Sequence, residues 1–137
     1  MNEKAFISEV AARAQCDERR AEILTFAVFQ ELRDRLTPNE AKKVAAQLPA
    51  SLKMLWMSFD RPNRQVRRVD EPQFLYDVAK MAVFDTEGEA ERAVVAVFSA
   101  MQDAFDSSTA IKGTAGHIMS QLPTDLKRLW LCAAGEL

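Results

Sequence analysis

A single histidine, His117, bounds the chemistry open to this sequence. Neither a metal site with two histidine ligands nor a di-iron centre of paired Glu-x-x-His motifs can be assembled within one chain. A cysteine nucleophile would need Cys16 or Cys132 beside His117 and a third group to orient the ring, and nothing in the local sequence marks either thiol as activated. The two cysteines lie at opposite ends of the chain, match no metal spacing and are expected to stay reduced. No serine sits in the Gly-x-Ser-x-Gly elbow of the common hydrolases. The segment Lys112-Gly113-Thr114-Ala115-Gly116 is only superficially like a phosphate loop, because it lacks the Gly-x-x-x-x-Gly-Lys-Ser/Thr order and any preceding strand. Glu87, Glu89 and Glu91 cluster where a helix should begin, and the helix dipole explains negative charge there without catalysis. The expectation is a protein with no catalytic residues, no cofactor and no metal.

Two features point to binding instead. Between Asp60 and Asp70 the chain concentrates Arg61, Arg64, Arg67 and Arg68 in eight positions. Arginine forks suit phosphates and carboxylates alike, so the segment could hold nucleic acid or an acidic protein surface. The plainer reading is a solvated linker whose arginines pair with nearby acids, and the absence of interleaved aromatics disfavours stacking on single strands. The second feature is the pair of segments Leu52-Lys53-x-Leu55-Trp56 and Leu126-Lys127-x-Leu129-Trp130. Leu48, Leu52, Leu55, Trp56 and Phe59 follow helical spacing and form a core face, which puts Met54 and Met57 toward the side. Met57 corresponds to Leu131, so this flank is apolar in both segments, bordered by Lys53 and Lys127, and could be covered by a partner.

These side chains need elements to hold them, and composition permits an ordinary core. The 137 residues are 48% hydrophobic and 28% charged, outside the disordered regime and suited to one compact domain. A net charge of -2 gives no global attraction to nucleic acid or an anionic membrane. The start MNEKAFISEV lacks the basic and apolar character of a signal peptide, and no run of about 18 apolar residues suggests a membrane span. A cytoplasmic location with no membrane contact is expected.

The strongest signal is self-similarity. Gln47-Leu48-Pro49 with Leu52, Lys53, Leu55 and Trp56 recurs as Gln121-Leu122-Pro123 with Leu126, Lys127, Leu129 and Trp130, seven identities at fixed spacing. Upstream, Ala27-Val28-Phe29 matches Ala96-Val97-Phe98, and Phe6 with Val10-Ala11 matches Phe74 with Val78-Ala79. The offset grows from 68 to 69 to 74, so the second copy carries one extra residue near Thr86 to Glu89 and five more between Phe105 and Ala115. In this alignment His117 falls opposite Lys43, which favours an exposed imidazole, and Cys16 opposite Phe84, which favours a small buried thiol.

The predicted architecture is all-α: two tandem four-helix repeats, residues 3–59 and 71–134, joined by the basic linker 60–70 and packed as one compact bundle, residues 1–137, about an approximate internal two-fold axis. Start signals support it. Asp17 caps a second helix over Glu18 to Leu36, Thr37-Pro38-Asn39-Glu40 offers a capping box, Asp70 with Gln73 opens the second copy, and Thr86 to Glu89 repeats Thr-x-x-Glu. Pro49 and Pro123 fit the first position of each fourth helix, making a sharp corner with the third. The two helices Glu18 to Leu36 and Thr86 to Phe105 are apolar around more than one face and should sit centrally. The segment Ala93 to Phe98 is the one candidate strand, and its helix-favouring flanks argue against it.

Two helical copies, each with a Phe-x-x-x-Val-Ala start and a Gln-Leu-Pro-x-x-Leu-Lys-x-Leu-Trp end, resemble the bacterial domain-of-unknown-function family 2267, from about Phe6 to about Leu131. The resemblance implies an all-helical fold and supplies no activity or catalytic residues. The chain departs from a regular repeat at Ser107 to Thr114, where the second copy loses its Thr-Pro-x-Glu cap. The leading expectation is a non-enzymatic adaptor or small regulatory scaffold that binds an unidentified protein, or itself, through Met54, Met57 and Leu131. The alternative is a nucleic-acid-associated protein gripping phosphates through the linker arginines.

Overall fold

The computed structural model describes residues 2–58, 60–61, 63–67, 70–108, 122 and 124–135. His117, the loop Lys112 to Gly116, Phe59, Arg68, Pro123 and the insertion at 106–114 apart from its first three residues lie outside them. The described residues form α1 (Glu3–Ala14), α2 (Glu18–Arg33), α3 (Pro38–Gln47), α4 (Ala50–Met57), α5 (Glu71–Ala82), α6 (Glu87–Ser108), a 3₁₀ turn (Thr124–Leu126) and α7 (Lys127–Ala133). No strand occurs among them, and Ala93 to Phe98 lies within α6. No described helix is long and apolar enough to cross a membrane.

The helices begin where their caps dictate. The Asn2, Asp17 and Asp70 side chains accept the N–H groups of Ala5, Arg20 and Gln73. Thr37 and Glu40 close a reciprocal capping box over α3, and Thr86 accepts from Glu89 to start α6. Pro49 stands one residue earlier than its sequence position suggests: it is the N-cap of α4, extended like Leu48 before it, so two extended residues make the corner between α3 and α4. The second helix ends at Arg33, short of Leu36, because Arg35 and Leu36 bond back only three residues, to Leu32 and Arg33, tightening the last turn.

The helices α2 and α6 are the central pair. They pack on each other, α2 also meets α1, α4 and α5, and α6 also meets α1, α5 and α7. One continuous core results, in which Phe6 and Trp56 flank Phe29, at 5.7 and 5.3 Å between ring centroids. Trp130 likewise lies 5.2 Å from Phe98 and 6.2 Å from Phe105. Each buried tryptophan is tied in by a polar contact: the Trp56 indole donates to the Ala41 carbonyl, and the Trp130 carbonyl accepts from Gln102.

Helices α1 and α5 end alike. Gln15 and Val83 take left-handed conformations, with φ of 57° and 58°, and the next N–H turns back to the carbonyl of Ala11 or Ala79. Glycine or asparagine is the usual occupant, and a β-branched residue there is strained. Val83 is 80% exposed and offers no packing in return. Val83→Gly is therefore expected to raise stability by about 0.5–1 kcal/mol, after the extra freedom of glycine in the unfolded chain is subtracted. Urea denaturation at unchanged slope checks this, and a lowered midpoint would contradict it.

Candidate functional site

The linker arginines do not all face solvent. Arg64 is only 2% exposed, donating to Asp60 Oδ1 at 2.7 Å and to the Leu36 carbonyl at 2.8 Å. Arg67 is half-exposed and bridges α2 and α5, reaching Glu31 Oε1 at 3.0 Å and Asp77 Oδ2 at 2.9 Å, while its backbone N–H donates to the Asp34 carbonyl. Arg61 is exposed, and Arg68 lies outside the described residues. For Arg64 and Arg67, pairing with acids of the chain is what the structure shows, in a buried setting for Arg64 and a partly solvated one for Arg67.

Their acids belong to a larger cluster. The Arg35 side chain is fully buried, donating to the Glu31 carbonyl and carboxylate and, at 2.7 Å, to Asp77. Its guanidinium also lies 5.2 Å from the centre of the Phe74 ring. Arg33, 3% exposed, donates to the Trp56 and Ser58 carbonyls at the C-terminal end of α4 and lies 3.6 Å from both Asp34 and Asp60. Sequence reasoning missed Glu31, Arg33, Arg35 and Asp77. A signal existed: Leu24, Val28, Glu31 and Arg35 fall at i, i+4, i+7 and i+11, so two charged residues continue an apolar stripe. These guanidinium groups tie α2 and the turn after it to α4, to α5 and to the linker, while Arg33 Nε, Arg35 Nε and Arg64 Nη2 are buried without a hydrogen-bond partner among the described residues.

The methionine flank is not gathered into one place. Met54 is 76% exposed, Met57 and Leu131 are half-buried, Lys53 is exposed and Lys127 half-buried. Helix α4 packs on α2 and α3, whereas α7 packs on α6, so Met54 and Leu131 belong to different neighbourhoods. The apolar groove that does exist lies beside Leu55, with Ile7 of α1, Ile23 and Phe26 of α2 and Met81 of α5, and encloses about 430 Å³. Ile23 is 44% exposed there. Glu3 and Glu22 stand at its rim, and no basic residue lines it among those described. The apolar residues of α2 wrap more than one face, and the face carrying Ile23 and Phe26 opens here.

Cys16 follows the end of α1 and Cys132 lies on α7. Both are free and half-buried, and burial, followed by the neighbouring Asp17 carboxylate, pushes the Cys16 thiol above its ordinary pKa, away from the thiolate. Among the described residues no group of three or more histidine, cysteine, aspartate or glutamate side chains is placed to hold a metal ion.

A family described as uncharacterized conserved protein (DUF2267) matches residues 3–129, nearly the whole chain. No curated protein matches it. With no relative to assign roles, the ion cluster is best weighed by mutation. Asp77→Ala leaves the buried Arg35 short of a partner and is expected to cost about 3 kcal/mol. Arg61→Ala, at the surface, should stay within about 0.5 kcal/mol. Equal losses in chemical denaturation would show that the cluster holds nothing together.

Proposed function

The chain belongs to the DUF2267 family, and since that family has no described activity, we propose from its surfaces that it is a non-enzymatic protein-interaction module, its groove over Ile23, Phe26, Leu55 and Met81 seating a basic amphipathic helix of a partner protein. The groove itself carries the proposal. Partly exposed large apolar side chains from three helices, backed by the buried Ile7, form a concavity that suits apolar residues spaced i, i+3 and i+4 along a docked helix. Glu3 and Glu22 supply the charge that selects lysine or arginine at the edges of that helix and speeds its encounter. Met81 adds an adaptable contact.

This reading keeps an adaptor role and the expected cytoplasmic location, and moves the contact from Met54, Met57 and Leu131 to the neighbouring groove. Phosphate binding by the linker is the weaker proposal, because Arg64 and Arg67 would have to leave carboxylates that already hold them. The scaffold we read as two copies of one four-helix unit about an approximate two-fold axis. Supporting this are the left-handed residues Gln15 and Val83 and the equivalent ring pairs Phe29 with Trp56 and Phe98 with Trp130.

The test uses a fluorescein-labelled peptide of leucine and lysine with leucines at i, i+3 and i+4, titrated by fluorescence anisotropy. Saturable binding is expected, weakened about tenfold or more by Ile23→Asp or Met81→Asp and untouched by Tyr76→Asp, outside the groove lining. Unchanged affinity in both groove variants would sink the site. Equal binding of a leucine and glutamate peptide would sink the charge argument. Self-association in sedimentation, abolished by Ile23→Asp, would give the groove to a second copy instead.

A further inference from the structure

A second groove, of about 640 Å³, opens where the end of α1, the start of α2 and the outer side of α6 meet. Leu24, Phe84, Val95, Ala96 and Ala133 give it an apolar floor, and Arg13, Arg20 and Arg92 bring guanidinium groups to it. The volume is that of a small-molecule pocket, which typically combines an apolar lining with a few polar anchors.

The state of those arginines distinguishes the groove. Arg13, Arg33, Arg35, Arg64, Arg67 and Arg128 each have a carboxylate within 4 Å. Among the described residues Arg19, Arg20, Arg61 and Arg92 make no such pair, and of these Arg20 and Arg92 line this groove together. Arg20 is also fixed in place: its guanidinium carbon lies 4.5 Å from the centre of the Phe84 ring, and one of its N–H groups donates to the Val83 carbonyl at 3.5 Å. A guanidinium laid on an aromatic face keeps its edge donors for an anion. The groove holds acids too. Glu91 is bonded to Arg128, and Arg13 is neutralised by Glu9 and Asp103, leaving Glu89 as the lining acid without an ion pair among the described residues, against Arg20 and Arg92.

We propose that this groove binds a small amphipathic organic anion, its carboxylate or sulfonate held by Arg20 and Arg92 and its apolar or aromatic body laid over Phe84, Leu24 and Val95. The thiol at its edge, Cys16, is pushed toward the neutral form by burial and by Asp17. The site is separate from the groove over Ile23 and does not depend on it.

The probe is 1-anilinonaphthalene-8-sulfonate, followed by its fluorescence, with uncharged N-phenyl-1-naphthylamine in a parallel titration. One saturable site per chain is expected for the sulfonate. Arg20→Met and Arg92→Met should each weaken it about tenfold while leaving the uncharged analogue within about twofold. Bound sulfonate should slow alkylation of Cys16 by iodoacetamide, read by peptide mass spectrometry, and Ile23→Asp should change none of these results. Circular dichroism establishes that each variant is folded. Any of three results overturns the proposal: no saturable binding, sulfonate affinity unchanged in folded Arg20→Met and Arg92→Met, or binding that leaves Cys16 alkylation at its free rate.

Discussion

The fold depends on the neutralisation of Arg35. A fully buried guanidinium is tolerable only when its charge is met nearby, and here Glu31, one turn earlier on α2, and Asp77, on α5, meet it together. That requirement fixes the placement of α5 against α2, and Arg67 closes the group by bridging the same two acids from the connecting segment. Gln73 holds the other oxygen of Asp77 at 2.9 Å, so the carboxylate is oriented as well as charged. Hydrophobic burial supplies most of the cohesion, but it is non-directional, and the ion cluster gives this contact its register.

Much of the architecture was legible because caps and apolar periodicity are local. Asp17, Thr37, Asp70 and Thr86 mark helix starts through side chains that bond within three residues, and all four do so in the structure. The central position of α2 and α6 followed from apolar residues on more than one face. The end of α2 was less legible, since Leu36 continues the apolar pattern and is fully buried even though the helix has already tightened and stopped at Arg33.

The surfaces were harder to read, for a physical reason. Arginine-rich composition says that guanidinium groups are present and not whether they point out or in, and the acids that hold Arg64 and Arg67 lie four residues away for the first and ten and 36 residues away for the second. Likewise, helical spacing on α4 sorts Leu55 to the core side and Met54 to solvent, yet a groove arises only where that helix meets α1, α2 and α5. Concavity is a property of several elements at once, so Ile23 and Met81 share a groove that neither segment announces alone. Arg20 and Arg92 are similar: each is an ordinary helical arginine until α2 and α6 bring both to one cleft.

The segment around Arg64 and Arg67 has a consequence for anyone who would re-engineer this chain. By composition it is the natural seam, polar and between two similar halves, and the obvious place to split the protein, insert a tag or circularly permute it. Arg64 nevertheless reaches the Leu36 carbonyl beyond the end of α2, and Arg33 spans from that helix to the carbonyls that finish α4. The seam is thus stitched to the first half through Arg64, and Arg67 ties it to α2 and α5 together. Lysine would not substitute there either, since a single ammonium cannot span two acceptors held at the fixed separation of a guanidinium fork.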